Sequence, residues 1–149
     1  MAQRISSRPL EMLTRDLVTS FLWNDGEVLI LRRSAEVGTF RGRWAGVSGY
    51  IEGSDDEQAT REIIEETGLG AGDFWPLKKG RLLEVEDSEN NVKWMVRPYL
   101  FGIKDKNKVR IDWEHTEVKW IKPEEINVFE TVPGLRETLF SLLEGGHLV

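Results

Sequence analysis

Two β-prone, apolar-rich runs, residues 16–23 and 27–33, flank Asn24-Asp25-Gly26. The Asp-Gly pair is a strong signal for a tight two-strand hairpin. A polar loop follows at 34–43, and then a short β-rich stretch at 44–53 that glycines interrupt. The pattern changes to a helical period over 55–67. It returns to strands at 82–86 and 92–103, which the polar turn 87–91 joins into an antiparallel pair. After a charged turn at 104–108, short strands are expected at 109–113 and 117–121. Pro123 opens a helical turn as an N1 proline. A final helix over 134–143 carries Leu135, Leu139, Leu142 and Leu143 at core spacing. Strands mixed with one central and one terminal helix predict an α/β chain, a mixed sheet between helices.

The helix at 55–67 carries the most chemistry. Ser54 with Glu57 three residues on reads as a capping box, and Gly68-Leu69 fits a left-handed C-cap. Glu62, Glu65 and Glu66 stand at i, i+3 and i+4 and share one side, while Ile63 and Ile64 point toward a core. Arg61 is the only basic residue in the segment, so repulsion among the glutamates is uncompensated locally. Carboxylates on one rigid element suit a hard divalent ion, Mg²⁺ above all, which completes its shell with waters and phosphate oxygens. A solvated acidic helix face is the plainer reading of the same glutamates. The glycine-broken stretch that feeds the helix lets backbone approach a ligand closely.

Composition narrows the setting. A net charge of −6 argues against indiscriminate binding to nucleic acid or acidic membranes, so neither a stable nucleic-acid complex nor a membrane partner is expected. The absence of cysteine excludes thiol catalysis, a thiolate zinc site and a disulfide scaffold, and is compatible with a reducing, cytoplasmic location. Residues 1–10 lack an apolar signal core, and 149 residues fit one domain. The charge is unevenly spread: Arg32, Arg33, Arg41 and Arg43 lie in a stretch whose only acid is Glu36. Guanidinium forks beside a metal site are what a polyphosphate requires, although arginines on a solvated loop look the same in sequence. Trp23, Trp44, Trp94 and Trp113 could each stack on a base, but a strand tryptophan is more often core. His115 reads as structural, and His147 has no supported role.

The stretch from Gly49 to Leu69 resembles the Nudix box, G-x5-E-x7-R-E-U-x-E-E-x-G-U with U apolar. Arg61, Glu62, Ile63, Glu65, Glu66, Gly68 and Leu69 match every specified position of its second half. The first half departs from the pattern. Two residues are missing between Gly49 and Arg61, and the family's isolated glutamate has no counterpart in register, Glu52 and Asp55 being the nearest. Weaker likeness runs from about Val18 to Leu143, including Glu114 to Glu117 before a strand with Trp120.

The resemblance implies an α/β/α sandwich and a metal-dependent pyrophosphohydrolase with a small nucleotide substrate. It implies Mg²⁺, with Mn²⁺ as a substitute, held by Glu62, Glu65, Glu66 and a backbone carbonyl at Ser48 or Gly49. It also implies that Arg61 orients the glutamates and that an acid from a downstream segment joins the site, a role carried to Glu114 with Glu117 second. Glu62 or Glu114 would be the general base, and Arg32, Arg33, Arg43 and Trp44 would meet substrate. The substrate that the resemblance implies is a nucleoside diphosphate joined to another moiety, such as ADP-ribose, or a nucleoside triphosphate. The rival is a nucleotide-sensing module without turnover on the same scaffold. Many relatives pair, so a homodimer is also expected.

Overall fold

The computed structural model describes residues 11–144, so residues 1–10 and His147 lie outside it. Strand β1 (Leu13–Asn24) and β2 (Glu27–Arg33) form the expected hairpin. Asp25 and Gly26 both take positive φ, 51° and 80°, as the right-handed twist of a two-residue turn demands. Then come β3 (Trp44–Ala45), β4 (Val47–Tyr50), helix α1 (Asp55–Thr67), β5 (Phe74–Lys79), β6 (Leu83–Asp87), β7 (Val92–Ile103), β8 (His115–Ile121) and helix α2 (Leu135–Leu143).

The strands make one mixed sheet. β1 and β7 run parallel through its centre, from the Leu13–Val92 pair to the Trp23–Gly102 pair. β2 and β4 pair antiparallel with β1, β8 and β3 with β2, and β5 and β6 with β7. Each face carries its own core. Val18, Leu22, Leu29 and Leu31 pack against Ala59 and Ile63 of α1. Phe21, Ile30 and Leu100 pack against Leu135, Leu139 and Leu142 of α2. Fully burying a Leu or Ile side chain stabilises by roughly 1.5–3 kcal/mol, so these two layers fix α1 and α2 against opposite faces of the sheet. The result is the α/β/α sandwich.

Helix α1 has the expected bounds. The Ser54 side chain accepts from the Glu57 backbone N–H at 3.1 Å, and Gly68 caps the other end at φ 71°. Three expectations need correction. Ile64 is 39% exposed, because the buried stripe runs through Ala59, Ile63 and Glu66 and leaves Ile64 on its outer edge. Residues 109–113 form no strand; Arg110 donates its N–H to the Thr67 carbonyl at 2.7 Å, and Val109 and Ile111 reach the core from a loop. Strand β5 was not expected at all. Its Pro76 lacks a ladder donor, and the register with β7 shifts between Pro76 and Lys78. No helix among the described residues is long and apolar enough to cross a membrane.

Candidate active site

Gln58, Glu62 and Glu66 stand at i, i+4 and i+8 on α1, one above the next, facing a cavity of about 370 Å³ that they line together with Gly49, Arg33 and Glu114. β4 lies against this stripe so closely that a Cβ on Gly49 would fall 2.1 Å from the Glu62 carboxyl carbon. The bare backbone of Gly49 and the Glu62 carboxyl thus share one small space.

Hydrogen bonds hold the stripe. Gln58 Nε2 donates to Glu62 Oε2 at 2.7 Å, while Gln58 Oε1 accepts from the Glu52 N–H at 3.1 Å and from Arg61 Nη1 at 3.3 Å. Arg61 therefore reaches Glu62 through the Gln58 amide. Sequence reading passed over Gln58; its i, i+4 spacing to Glu62 was the available signal. Arg33 is anchored by the Thr39 carbonyl, to which its Nε donates at 2.9 Å. His115 Nδ1 is 3.0 Å from Asp112, and its Nε2 faces Glu66 at 3.7 Å, too far for a hydrogen bond.

The electrostatics are lopsided. Desolvation, then a hydrogen bond and repulsion from Glu62, hold the Glu66 carboxyl well above its ordinary value. Desolvation likewise raises Glu62 and Glu114, the latter also through Asp112. Burial lowers His115, and it lowers Arg33 despite the pull of Glu114 and Glu66. Three carboxyls resist ionisation in one cavity with a single guanidinium on its wall.

Most of the remaining sequence candidates lie elsewhere. Glu65 is exposed and turned 100° from Glu66 onto the outer face of α1, beside Arg61 and Ile64. Arg32 pairs with Glu117 at 2.9 Å and donates to the Gly42 carbonyl. Arg43 lies over the Phe40 ring, and Trp44 is buried edge-on against Phe129. Alternation along β2 puts Arg33 and not Arg32 on the cavity side. Trp94 lines the cavity, Trp23 packs on the α2 side of the sheet and Trp113 is 66% exposed.

The donor set fits a hard cation: carboxylate oxygens that repel one another, with glycine backbone held against one of them. Among the described residues no three acidic or histidine side chains already converge at liganding distance. A folded-state pKa raised above the unfolded one means that the native state binds more protons above about pH 4.5, so stability falls as pH climbs through the raised values of Glu66, Glu62 and Glu114. Melting curves in chelator should therefore show Tm declining from pH 5 to pH 8 relative to Glu66→Gln. Added Mg²⁺ should raise Tm more at pH 8 than at pH 5, because it binds the ionised pair. An equal Mg²⁺ effect at both pH values would count against this cluster as the binding site.

Comparison with known proteins gives concordant findings. The family model described as NUDIX domain matches residues 13–142. The nucleoside triphosphatase NudI of Escherichia coli is 27% identical over 135 residues, covering 86% of this chain and 96% of that protein. The crystal structure of a MutT protein from Methanosarcina mazei Go1 superposes with a TM-score of 0.70 at 27% identity, over 89% of this chain and 94% of that one. The NUDIX domain of Shewanella oneidensis NrtR, complexed with ADP ribose, shares the fold with a TM-score of 0.61 at 15% identity, over 95% and 92% of the two chains.

Proposed function

Because the chain belongs to the Nudix hydrolase family, we propose that it cleaves a phosphoanhydride bond of a small nucleotide: a nucleoside triphosphate, or a nucleoside diphosphate carrying another moiety such as ADP-ribose. The observation that carries this reading is the buried Glu66 beside the half-buried Glu62, facing Gly49 and Arg33 in a cavity that also has apolar and aromatic lining. The charged lining suits phosphates and the aromatic lining a base. A relative that is a nucleoside triphosphatase and a fold neighbour complexed with ADP ribose support both substrate classes. The lack of cysteine is compatible with a cytoplasmic setting.

Glu62 and Glu66, with Glu114 and the Gly49 carbonyl, would hold Mg²⁺, which when bound supplies neutralisation of the diphosphate and acidifies a water. Arg33, fixed at Nε by the Thr39 carbonyl and at Nη2 by the Thr39 hydroxyl, offers its remaining N–H groups to phosphate oxygens, so its orientation is set before substrate arrives. Glu62 is the better placed general base, because the Gln58 amide fixes its carboxyl plane. Glu114 lines the same cavity and is the second candidate. Burial of the cluster strengthens every one of these interactions relative to bulk water.

The test is product release from a panel of nucleoside triphosphates, ADP-ribose and other nucleoside diphosphate derivatives, with Mg²⁺, with Mn²⁺ and with chelator. Hydrolysis that chelator abolishes and either metal restores supports the reading. Metal-dependent binding without turnover on any member would favour the sensing module.

A further inference from the structure

One wall of the cavity is aromatic and is built by three strands. Leu17 of β1 pairs with Tyr50 on one side and with Val96 on the other, and Arg15 pairs with Trp94. Residues paired across strands share a face, so Leu17, Val96, Tyr50 and Trp94 line one side of the cavity together. The Tyr50 and Trp94 rings stack, with centroids 6.3 Å apart and planes 24° from parallel. The Arg15 guanidinium lies 6.0 Å from the Tyr50 centroid.

A buried carboxylate holds this wall in place. Trp94 Nε1 donates to Asp87 Oδ2 at 3.3 Å. Asp87 is only 4% exposed, and its two oxygens accept from the Asn90 backbone N–H at 3.1 Å and from the Asn90 side-chain amide at 2.9 Å. The turn joining β6 to β7 is therefore wrapped around the Asp87 carboxylate, whose remaining acceptor capacity is aimed at the indole.

We propose that Asp87 is a positioning residue that holds the Trp94 indole, and with it Tyr50, as a stacking platform for the planar base of the nucleotide whose phosphates lie at Glu62, Glu66 and Arg33. This deepens the reading given above and rests on it. Since Asp87 occupies the indole N–H, Trp94 presents the base with its π-face, which every base can match. The platform thus favours a nucleotide over a bare polyphosphate and selects little among bases.

The test compares steady-state kinetics on a nucleoside triphosphate, in Mg²⁺, with competitive inhibition by inorganic triphosphate, which has no base. Asp87→Asn leaves one acceptor oxygen where two served, so a donor must face either the indole N–H or the Asn90 N–H, and it should raise KM about five- to tenfold with kcat within twofold, the net worth of one ordinary hydrogen bond. The inhibition constant of inorganic triphosphate should not move. Trp94→Ala, which keeps every residue of the turn and its Asp87–Asn90 hydrogen bonds, should raise KM by about 5- to 150-fold, the cost of one stacking partner. Trp94→Phe keeps a ring without the N–H, so Asp87→Asn should add nothing to it.

Additive effects of those two changes, or parallel rises in KM and in the inhibition constant, would overturn the proposal. So would an unchanged KM in Trp94→Ala. If the wild type turns over no nucleotide, the hydrolase reading fails first. The same variants are then compared by calorimetric binding of a nucleoside diphosphate and of inorganic diphosphate, where Trp94→Ala must weaken only the former.

Discussion

Glu66→Gln is expected to lower kcat/KM for the phosphoanhydride substrate by about 10²- to 10⁴-fold, because a carboxylate that binds the cation underlies several kcal/mol of charge stabilisation. Glu62→Gln should fall in the same range, as removal of a general base does. Both residues face the cavity, and Glu66 has only 4% of its surface exposed. Neither change should unfold the protein. Glutamine nearly matches glutamate in volume, and in Glu66→Gln it removes a buried carboxyl that the neighbouring Glu62 repels. The same change at Glu65, on the exposed side of α1, should cost less than about tenfold if the cavity is the reaction site. Kinetics of the three variants at saturating Mg²⁺, with melting temperatures alongside, decide the matter. A Glu65→Gln loss as deep as that of Glu66→Gln would move the metal to the outer face of the helix.

The second large effect is expected at Gly49. An added Cβ would stand 2.1 Å from the Glu62 carboxyl carbon and 2.2 Å from its Oε2. The colliding atoms are the far end of a flexible side chain, so Glu62 can swing away and the fold need not strain. Gly49→Ala should therefore lower kcat by about 10²-fold or more through misplacement of one carboxylate, since about 1 Å of displacement suffices for that, while Tm shifts by only a few degrees. Retained activity with a lowered Tm is the opposite outcome. It would mean that the backbone gave way instead of Glu62, and that the close approach has no catalytic part.

Much of the site was legible because the signals are local. The bounds of α1, its Ser54 and Gly68 caps and the Asp25-Gly26 turn depend on residues within a few positions of one another, and they formed as read except that only the Ser54 half of the capping box is made. The same rule had a limit in resolving power. Glu62, Glu65 and Glu66 fall on one side of a helical wheel, but that side is wide, and the packing of Ala59 and Ile63 on the sheet decides which part of it is sealed. Ile64 and Glu65 then lie outside, and Gln58, an unremarked amide, lies inside.

Strand β5 was missed because its proline and lysines obscure the period of two, and pairing with β7 rather than intrinsic preference makes it a strand. The loop at 109–113 was mistaken for a strand for the converse reason: Val109 and Ile111 keep that period, but they meet the core without a partner chain beside them.

The sequence by itself determined the family, the sandwich, the bounds of α1 and the three glutamates from which the site draws. Only the tertiary structure decided which arginine of the Arg32-Arg33 pair faces the cavity, and that Tyr50, Trp94 and Asp87 meet at one wall of it. Arg33, Tyr50 and Trp94 come from three strands, and Glu114 from the loop before a fourth. They are brought together by the parallel pairing of β1 with β7 and the antiparallel pairing of β2 with β8. Contacts of that range are set by burial over the whole sheet, and no short stretch of the chain carries that information.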